Sequence, residues 1–389
     1  MHIAIDGRTI VRNRTGVGYY AERLVHALLQ LDEKNTYTLF LLEDDPGIAG
    51  PNLRKVMVTR YAGMGPNRFW ENFVLPRYLA KNGVDIYFCP AYVLPLLRLG
   101  RGRSKSRTRI VVTLHDLVGF IYPETFTLKM RLWQRLFVGN AVRVADRILA
   151  DSEATKKDIL RFYDLEPKLI NVIYPPLGEQ FRPVTDPEII EGIRKAHNLP
   201  DKFILYVGTL EPRKNVGGLA RAYARLPKEL RDQYALILAG APGWYSADIM
   251  KEIESLGMSD RIRITGYVDR RSLEGLYSMA SVFAYLSVYE GFGSPPLEAM
   301  ACGTPVLASN ASSLPEAVGN AGILVDPNDI DEVAVQLTTL LTDDSVRMKL
   351  SQAGLRWAQQ FSALDIAREV LTIFEEVAAG NRITVRTPS

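Results

Sequence analysis

Apolar residues fall into short, β-branched runs separated by longer amphipathic stretches, and the alternation occurs twice along the chain. In the first half the runs His2–Ile5, Tyr37–Leu42, Val56–Thr59, Asp85–Phe88, Ile110–Leu114, Arg147–Ala150 and Ile170–Tyr174 read as strands. Between them, helical spacing begins at Gly16, with Leu24, Val25, Leu28 and Leu29 on one side, and recurs over Arg68–Lys81, Thr127–Val144 and Glu153–Phe162. Ser152 stands where a helix N-cap is expected. Pro175-Pro176-Leu177-Gly178 breaks regular structure and, with Phe181-Arg182-Pro183, marks a linker. The second half restarts with strands over Phe203–Val207, Ala235–Leu238, Ile262–Thr265, Ser281–Leu286, Pro305–Ala308 and Gly322–Val325. Strands separated by helices predict parallel sheets covered on both faces, so the fold class is α/β with two doubly wound domains. Boundaries are expected at 1–178 and 179–361.

A length of 389 residues agrees with two domains. No apolar run is long enough to cross a bilayer, and Met-His-Ile-Ala-Ile-Asp-Gly lacks the regions of a signal peptide. Cys89 and Cys302 sit in apolar contexts with no paired framework, which points to a reducing cytoplasm. A net charge of +3 is too small to argue for nucleic acid. The stretch Arg98–Arg109 holds six cations in twelve residues and no acid. A solvated loop and contact with anionic lipid or a lipid diphosphate explain it equally well.

The candidate chemistry centres on Tyr285–Pro305. A strand runs into a loop carrying Glu290, Gly291 and Gly293; Pro295 and Pro296 open a helix, and Glu298 lies in its first turn. Unpaired N–H groups at such a helix start suit an anion. The two carboxylates suit hydroxyl-rich groups, and the combination describes a nucleotide sugar. Arg213 and Lys214 follow another strand and precede a helix that Asn215 is placed to cap, a position for neutralising a diphosphate. His115-Asp116 lies at the carboxyl end of Ile110–Leu114, where ligands bind in open α/β sheets. No ligand cluster with metal spacing accompanies it, so no metal is expected. Gly16, Gly18 and Ala21 fit the dinucleotide pattern G-x-G-x-x-A, but about ten residues separate them from the preceding strand, longer than the usual connection. An NAD(P)-dependent oxidoreductase built on this loop is one alternative, and a non-catalytic sugar-nucleotide binder is another.

The string Glu-Gly-Phe-Gly-Ser-Pro-Pro-Leu-Glu-Ala-Met-Ala-Cys-Gly-Thr-Pro-Val, with its E-x7-E spacing, resembles glycosyltransferase family 4, retaining enzymes of the GT-B architecture. The resemblance covers nearly the whole chain and is tighter in the second half. It implies two Rossmann-like domains facing across a cleft, with acceptor in the first and donor in the second. It also implies that the helix at 362–380 crosses back to the first domain. The donor site carried over comprises Gly16, Gly18, Arg213, Lys214, Tyr267, Glu290, Phe292, Gly293, Ser294, Leu297 and Glu298. His115, Glu290 and Lys214 are the expected catalytic groups. Where some relatives carry a further arginine, Thr209 stands here. The form Glu-Pro-Arg-Lys-Asn resembles bacterial mannosyltransferases of polysaccharide assembly. That resemblance implies GDP-mannose as donor and a glycan on polyprenyl diphosphate as acceptor. No cofactor or metal is expected, and the basic stretch fits a cytoplasmic protein in peripheral contact with an anionic membrane.

Overall fold

The computed structural model describes residues 1–12, 14–58, 69–95 and 108–380. Its contacts divide it into two compact units: Met1–Pro176 with the helix from Ala363 (unit 1), and Leu177–Ser362 (unit 2).

Unit 1 is built on seven strands: β1 (His2–Asp6), β2 (Thr36–Leu41), β3 (Leu53–Met57), β4 (Ile86–Cys89), β5 (Arg109–Leu114), β6 (Arg147–Ala150) and β7 (Ile170–Val172). They lie in the order β3-β2-β1-β4-β5-β6-β7, and every neighbouring pair is parallel. The middle strands are buried along nearly their whole length, which is why they read as continuous apolar runs. β3 begins earlier than the apolar pattern predicts. It is an edge strand, and its register on β2 (Tyr37 opposite Leu53) draws in the polar Arg54 and Lys55.

The helix predicted over Arg68–Lys81 is two pieces. A π-helical turn, Trp70–Val74, precedes an α-helix, Leu75–Lys81. Pro76 has no N–H to offer the carbonyl four residues back, and the Leu75 N–H reaches Trp70 O instead. The helix Gly16–Leu31 lies against the C-terminal helix Ala363–Ala378, whose Phe374 meets Phe88 of β4 with ring centroids 5.3 Å apart. Gly18 permits the start of the first of these helices: a Cβ there would stand 2.4 Å from Thr9 O.

Unit 2 holds the six strands that the pattern predicts: β8 (Phe203–Val207), β9 (Ala235–Ala239), β10 (Ile262–Gly266), β11 (Val282–Tyr285), β12 (Val306–Ser309) and β13 (Ile323–Val325). The order is β10-β9-β8-β11-β12-β13, again all parallel. Each sheet therefore reverses its strand order once, between β1 and β4 and between β8 and β11. In open α/β sheets ligands bind beyond the carboxyl ends of the strands at such switch points.

Candidate active site

The residues after β8 and β11 meet at the unit 2 switch point. After β8, Pro212–Lys214 forms a single 3-10 turn, closed by Asn215 in the left-handed conformation at φ 51°. The Asn215 side chain lies against Gly218 of the following helix without capping it. Its amide donates to Pro327 O at 2.8 Å, and the expected side-chain cap is absent. After β11, the loop from Leu286 is tied to this turn: the Val288 N–H donates to Arg213 O at 2.9 Å, and the Ser287 hydroxyl lies 3.1 Å from the same oxygen.

These ties bring Glu290 onto both cations. Its Oε2 accepts from Arg213 Nη1 at 3.0 Å and its Oε1 from Lys214 Nζ at 2.6 Å. The Tyr285 hydroxyl donates to Oε1 at 2.9 Å and lies 2.8 Å from Lys214 Nζ. Arg213 also donates to Glu211 at 2.6 Å and to Tyr289 O at 2.5 Å. Two cations thus face two carboxylates in a buried cluster of zero formal charge. Burial alone would raise the Glu290 carboxyl, but Lys214 and Arg213 outweigh it and hold the pKa at about 2. Burial pulls the Lys214 ammonium below its usual range; Glu290 opposes the fall and Arg213 adds to it. Beneath the cluster, Tyr206 and Tyr285 stack with centroids 5.7 Å apart.

Past Glu290 the chain is held by serines. Ser312 and Ser313 donate to Glu290 O at 2.7 and 2.9 Å, and Ser313 Oγ also lies 2.9 Å from Phe292 O. Gly293 then takes φ +96° and leads into the helix Ser294–Ala301. Phe292 and Leu297 are buried and pack in the core, so only their backbones are offered at the helix start. Glu298 lies past the first turn in which it was expected, because the helix already starts at Ser294; it is half-buried and accepts from the Tyr277 hydroxyl at 3.3 Å. Tyr267, after β10, is 72% exposed.

Unit 1 carries its own polar groups at the carboxyl ends of its strands. His115, after β5, engages both ring nitrogens: Nδ1 with Asp151 Oδ2 and Nε2 with Pro90 O, each at 2.7 Å. Tyr20 meets the imidazole edge-on, centroids 4.9 Å apart. Burial opposes the imidazole's charge, but Asp151 outweighs it and raises the His115 pKa. At the switch point between β1 and β4, Asp6 grips Arg8 through two bonds of 2.8 and 2.6 Å, and Glu71 takes the other arm at 2.6 Å. Gly16 has open space around it: an added Cβ would meet nothing within 4 Å.

The sequence thus named the centre of the unit 2 cluster and missed its surroundings. Glu211 stood in the same motif, two residues before Arg213, and only the fold shows that it shares the guanidinium. Tyr285 and the serines carry no motif signal. Asp151 follows β6 as His115-Asp116 follows β5, and that parallel is the signal that would have found it. The basic stretch at 98–107 lies outside the described residues. Among the described residues no group of three or more metal-ligating side chains occurs, and no helix is long and apolar enough to cross a membrane.

Residues 190–357 match the family described as Glycosyl transferases group 1, and residues 14–178 match Glycosyltransferase Family 4. The chain is 37% identical over 277 residues to the O-antigen chain mannosyltransferase B of Escherichia coli, a match covering 71% of this chain and 70% of that protein. It is 30% identical over 281 residues to the serotype-specific mannosyltransferase WbdA of Escherichia coli, covering 71% of this chain but only 34% of that longer protein. Among solved structures, Anabaena Alr3699/HepE in complex with UDP and glucose superposes with a TM-score of 0.72 at 20% identity, over 97% of this chain and 100% of that one. WaaG, a glycosyltransferase involved in lipopolysaccharide biosynthesis, gives the same TM-score at 16% identity, again over 97% and 100%. The architecture is that of the GT-B glycosyltransferases. Within that class, the chain belongs to glycosyltransferase family 4.

Proposed function

We propose that the protein is a retaining, metal-independent hexosyltransferase that moves mannose from GDP-mannose to a hydroxyl of a growing, lipid-linked glycan. The observation that carries this reading is Glu290 bridging Arg213 and Lys214 at the β8/β11 switch point. The E. coli relatives are O-antigen and serotype-specific mannosyltransferases, which supports mannose and a glycan acceptor.

The resting cluster holds its cations against carboxylates. A donor diphosphate brings two further negative charges and takes over Arg213 and Lys214, Arg by its planar fork and Lys as a point charge. Glu290 is then released towards the sugar. A carboxylate only accepts hydrogen bonds, so Glu290 binds sugar hydroxyls as donors. Glu298 takes the ribose hydroxyls. N–H groups from Ser294 to Leu297 add to the stabilisation of the diphosphate. The bond from the anomeric carbon to phosphate oxygen breaks, and its electron pair leaves with the diphosphate. The acceptor oxygen attacks on the same face, and its proton passes to the departing phosphate oxygen. Metal is unnecessary because the two cations supply the charge. In unit 1, Gly16 and Gly18 remain the candidate backbone contacts to the donor, and His115 the group that holds the acceptor. Incubation with GDP-mannose and a mannan acceptor tests the reading. An α-linked product formed in the presence of EDTA supports it; a β-linked product or metal dependence refutes those parts.

We propose that the protein works in the cytoplasm against an anionic membrane, through the helix Leu128–Val144 in unit 1. Only the second half of this helix packs inward, burying Phe137, Val138, Ala141 and Val142. In the first half Leu128, Leu132, Trp133 and Leu136 are 69, 59, 46 and 54% exposed. Lys129, Arg131 and Arg135 lie among them, and the helix carries no acid. Arg135 covers the ring of Phe120, which contacts Phe162, so the surface continues onto a neighbouring helix with Arg161. Apolar side chains interleaved with cations fit the interface of an anionic bilayer. Flotation with phosphatidylglycerol vesicles is expected, and is expected to fail with phosphatidylcholine alone. Equal flotation of Leu132→Ser/Leu136→Ser would count against this surface.

A further inference from the structure

The His115–Asp151 pair constrains what His115 can do. A carbonyl oxygen only accepts hydrogen bonds, so Nε2, 2.7 Å from Pro90 O, must carry a proton. Nδ1 then faces Asp151 Oδ2 at 2.7 Å. With no proton between them, a nitrogen lone pair would oppose a carboxylate at hydrogen-bond distance, so that space also holds a proton.

Asp151 contributes little else to the fold. It is 5% exposed, and its Oδ1 is buried with no hydrogen-bond partner among the described residues. Other acids in the chain hold backbone: Asp186 accepts from Glu188 N and Asp343 from Ser345 N and Val346 N. A buried carboxylate oxygen without a partner costs stability. Asp151 therefore occupies a costly position with His115 as its hydrogen-bonded partner. The other titratable groups acting on the pair, among the described residues, are Asp116 on the same loop as His115 and Tyr20 from the helix Gly16–Leu31. Asp116 favours the cation. The Tyr20 phenol, pushed up by burial and then by Asp151, stays neutral.

We propose that Asp151 is the positioning residue of His115: with Pro90 O taking Nε2–H, it keeps the imidazole doubly protonated, so that His115 acts as a fixed positive charge and never as the base. This rests on the reading that unit 1 takes the acceptor. It deepens that reading by leaving the departing phosphate oxygen as the group that takes the acceptor's proton.

The chain has only four histidines, His2, His26, His115 and His197, so ring-nitrogen NMR on histidine-labelled protein is tractable. His115→Gln assigns the signal. Both His115 nitrogens are expected to stay protonated at about pH 8, well above the ordinary imidazole range. In Asp151→Asn the ring is expected to become the neutral Nε2–H form at that pH, with an equal or higher Tm. In transfer assays, Asp151→Asn should lose at least about tenfold in kcat at about pH 8, recover towards about pH 6, and leave the donor KM within about twofold. A bare nitrogen on wild-type His115 at about pH 8 overturns the proposal, as does an unchanged kcat in Asp151→Asn. If no sugar is transferred from any donor, the transferase reading fails, while the NMR result still decides the state of the pair.

Discussion

The two units place buried ionisable groups at equivalent positions, beyond the carboxyl ends of central parallel strands, and use them in opposite ways. Unit 2 sets Arg213 and Lys214 against Glu211 and Glu290 and so stores ions: Glu290 is held ionised down to about 2. Unit 1 sets His115 against Asp151 and so stores a proton: the pKa values of both groups are raised. The difference follows from the partners. Two permanent cations beside a carboxylate leave it no reason to protonate. A carboxylate sharing its partner with burial and a nearby Asp116 keeps the proton between itself and the imidazole. The first arrangement suits exchanging one anion for another; the second suits a fixed positive charge.

The largest expected effect breaks the unit 2 side. Glu290→Ala leaves two buried cations short of an acid, so stability falls by about 3–5 kcal/mol and turnover is essentially lost. Urea unfolding and initial rates measure the two together. Lys214→Ala removes one cation and keeps Arg213 on Glu290; turnover is expected to drop at least about a hundredfold with the fold retained. Unchanged turnover in that variant would dismiss the site assignment.

The pH dependence separates the units. Glu290 has a depressed folded pKa, so its contribution is present above about 4.5 and is lost as pH falls towards about 2. His115 has a raised folded pKa, so its contribution is present below the ordinary imidazole value and is lost as pH rises through the raised one. Acid should therefore weaken wild type more than Glu290→Gln, and mild alkali should weaken wild type more than His115→Gln. Unfolding curves across pH that run parallel in all three would erase the contrast.

The smallest effects concern the glycine loop of unit 1. Gly18→Ala forces a Cβ against Thr9 O and should cost about 1–3 kcal/mol. Gly16→Ala meets nothing within 4 Å, so its Tm should stay near wild type. A donor KM that rises in Gly16→Ala at unchanged Tm would mark that position as a ligand contact, and an unmoved one would leave it only a helix start.

The fold was legible because parallel strands buried on both faces write themselves as apolar runs. β3 was placed late because an edge strand takes its register from β2 rather than from its own side chains. The π turn at Trp70 was hidden because the helical spacing of Arg68–Lys81 runs on through Pro76 without a break. In the site, Arg213, Lys214 and Glu290 were visible through a motif. Glu211 stood in the same motif, but nothing in it showed that the acid shares Arg213. Tyr285 and Asp151 were not visible, since their roles arise from loops brought together by strands distant in sequence. The exposure of Leu132 and Leu136 was equally invisible, because helical spacing cannot tell which face finds a neighbour.

The central claim is that Arg213 and Lys214 exchange Glu290 for a donor diphosphate. Calorimetric binding of GDP and GDP-mannose to wild type and Lys214→Ala tests it most directly, with UDP and NAD as controls. Guanine-nucleotide binding that weakens at least about tenfold in Lys214→Ala is the expected result. Binding that is indifferent to Lys214, or confined to NAD, would contradict it.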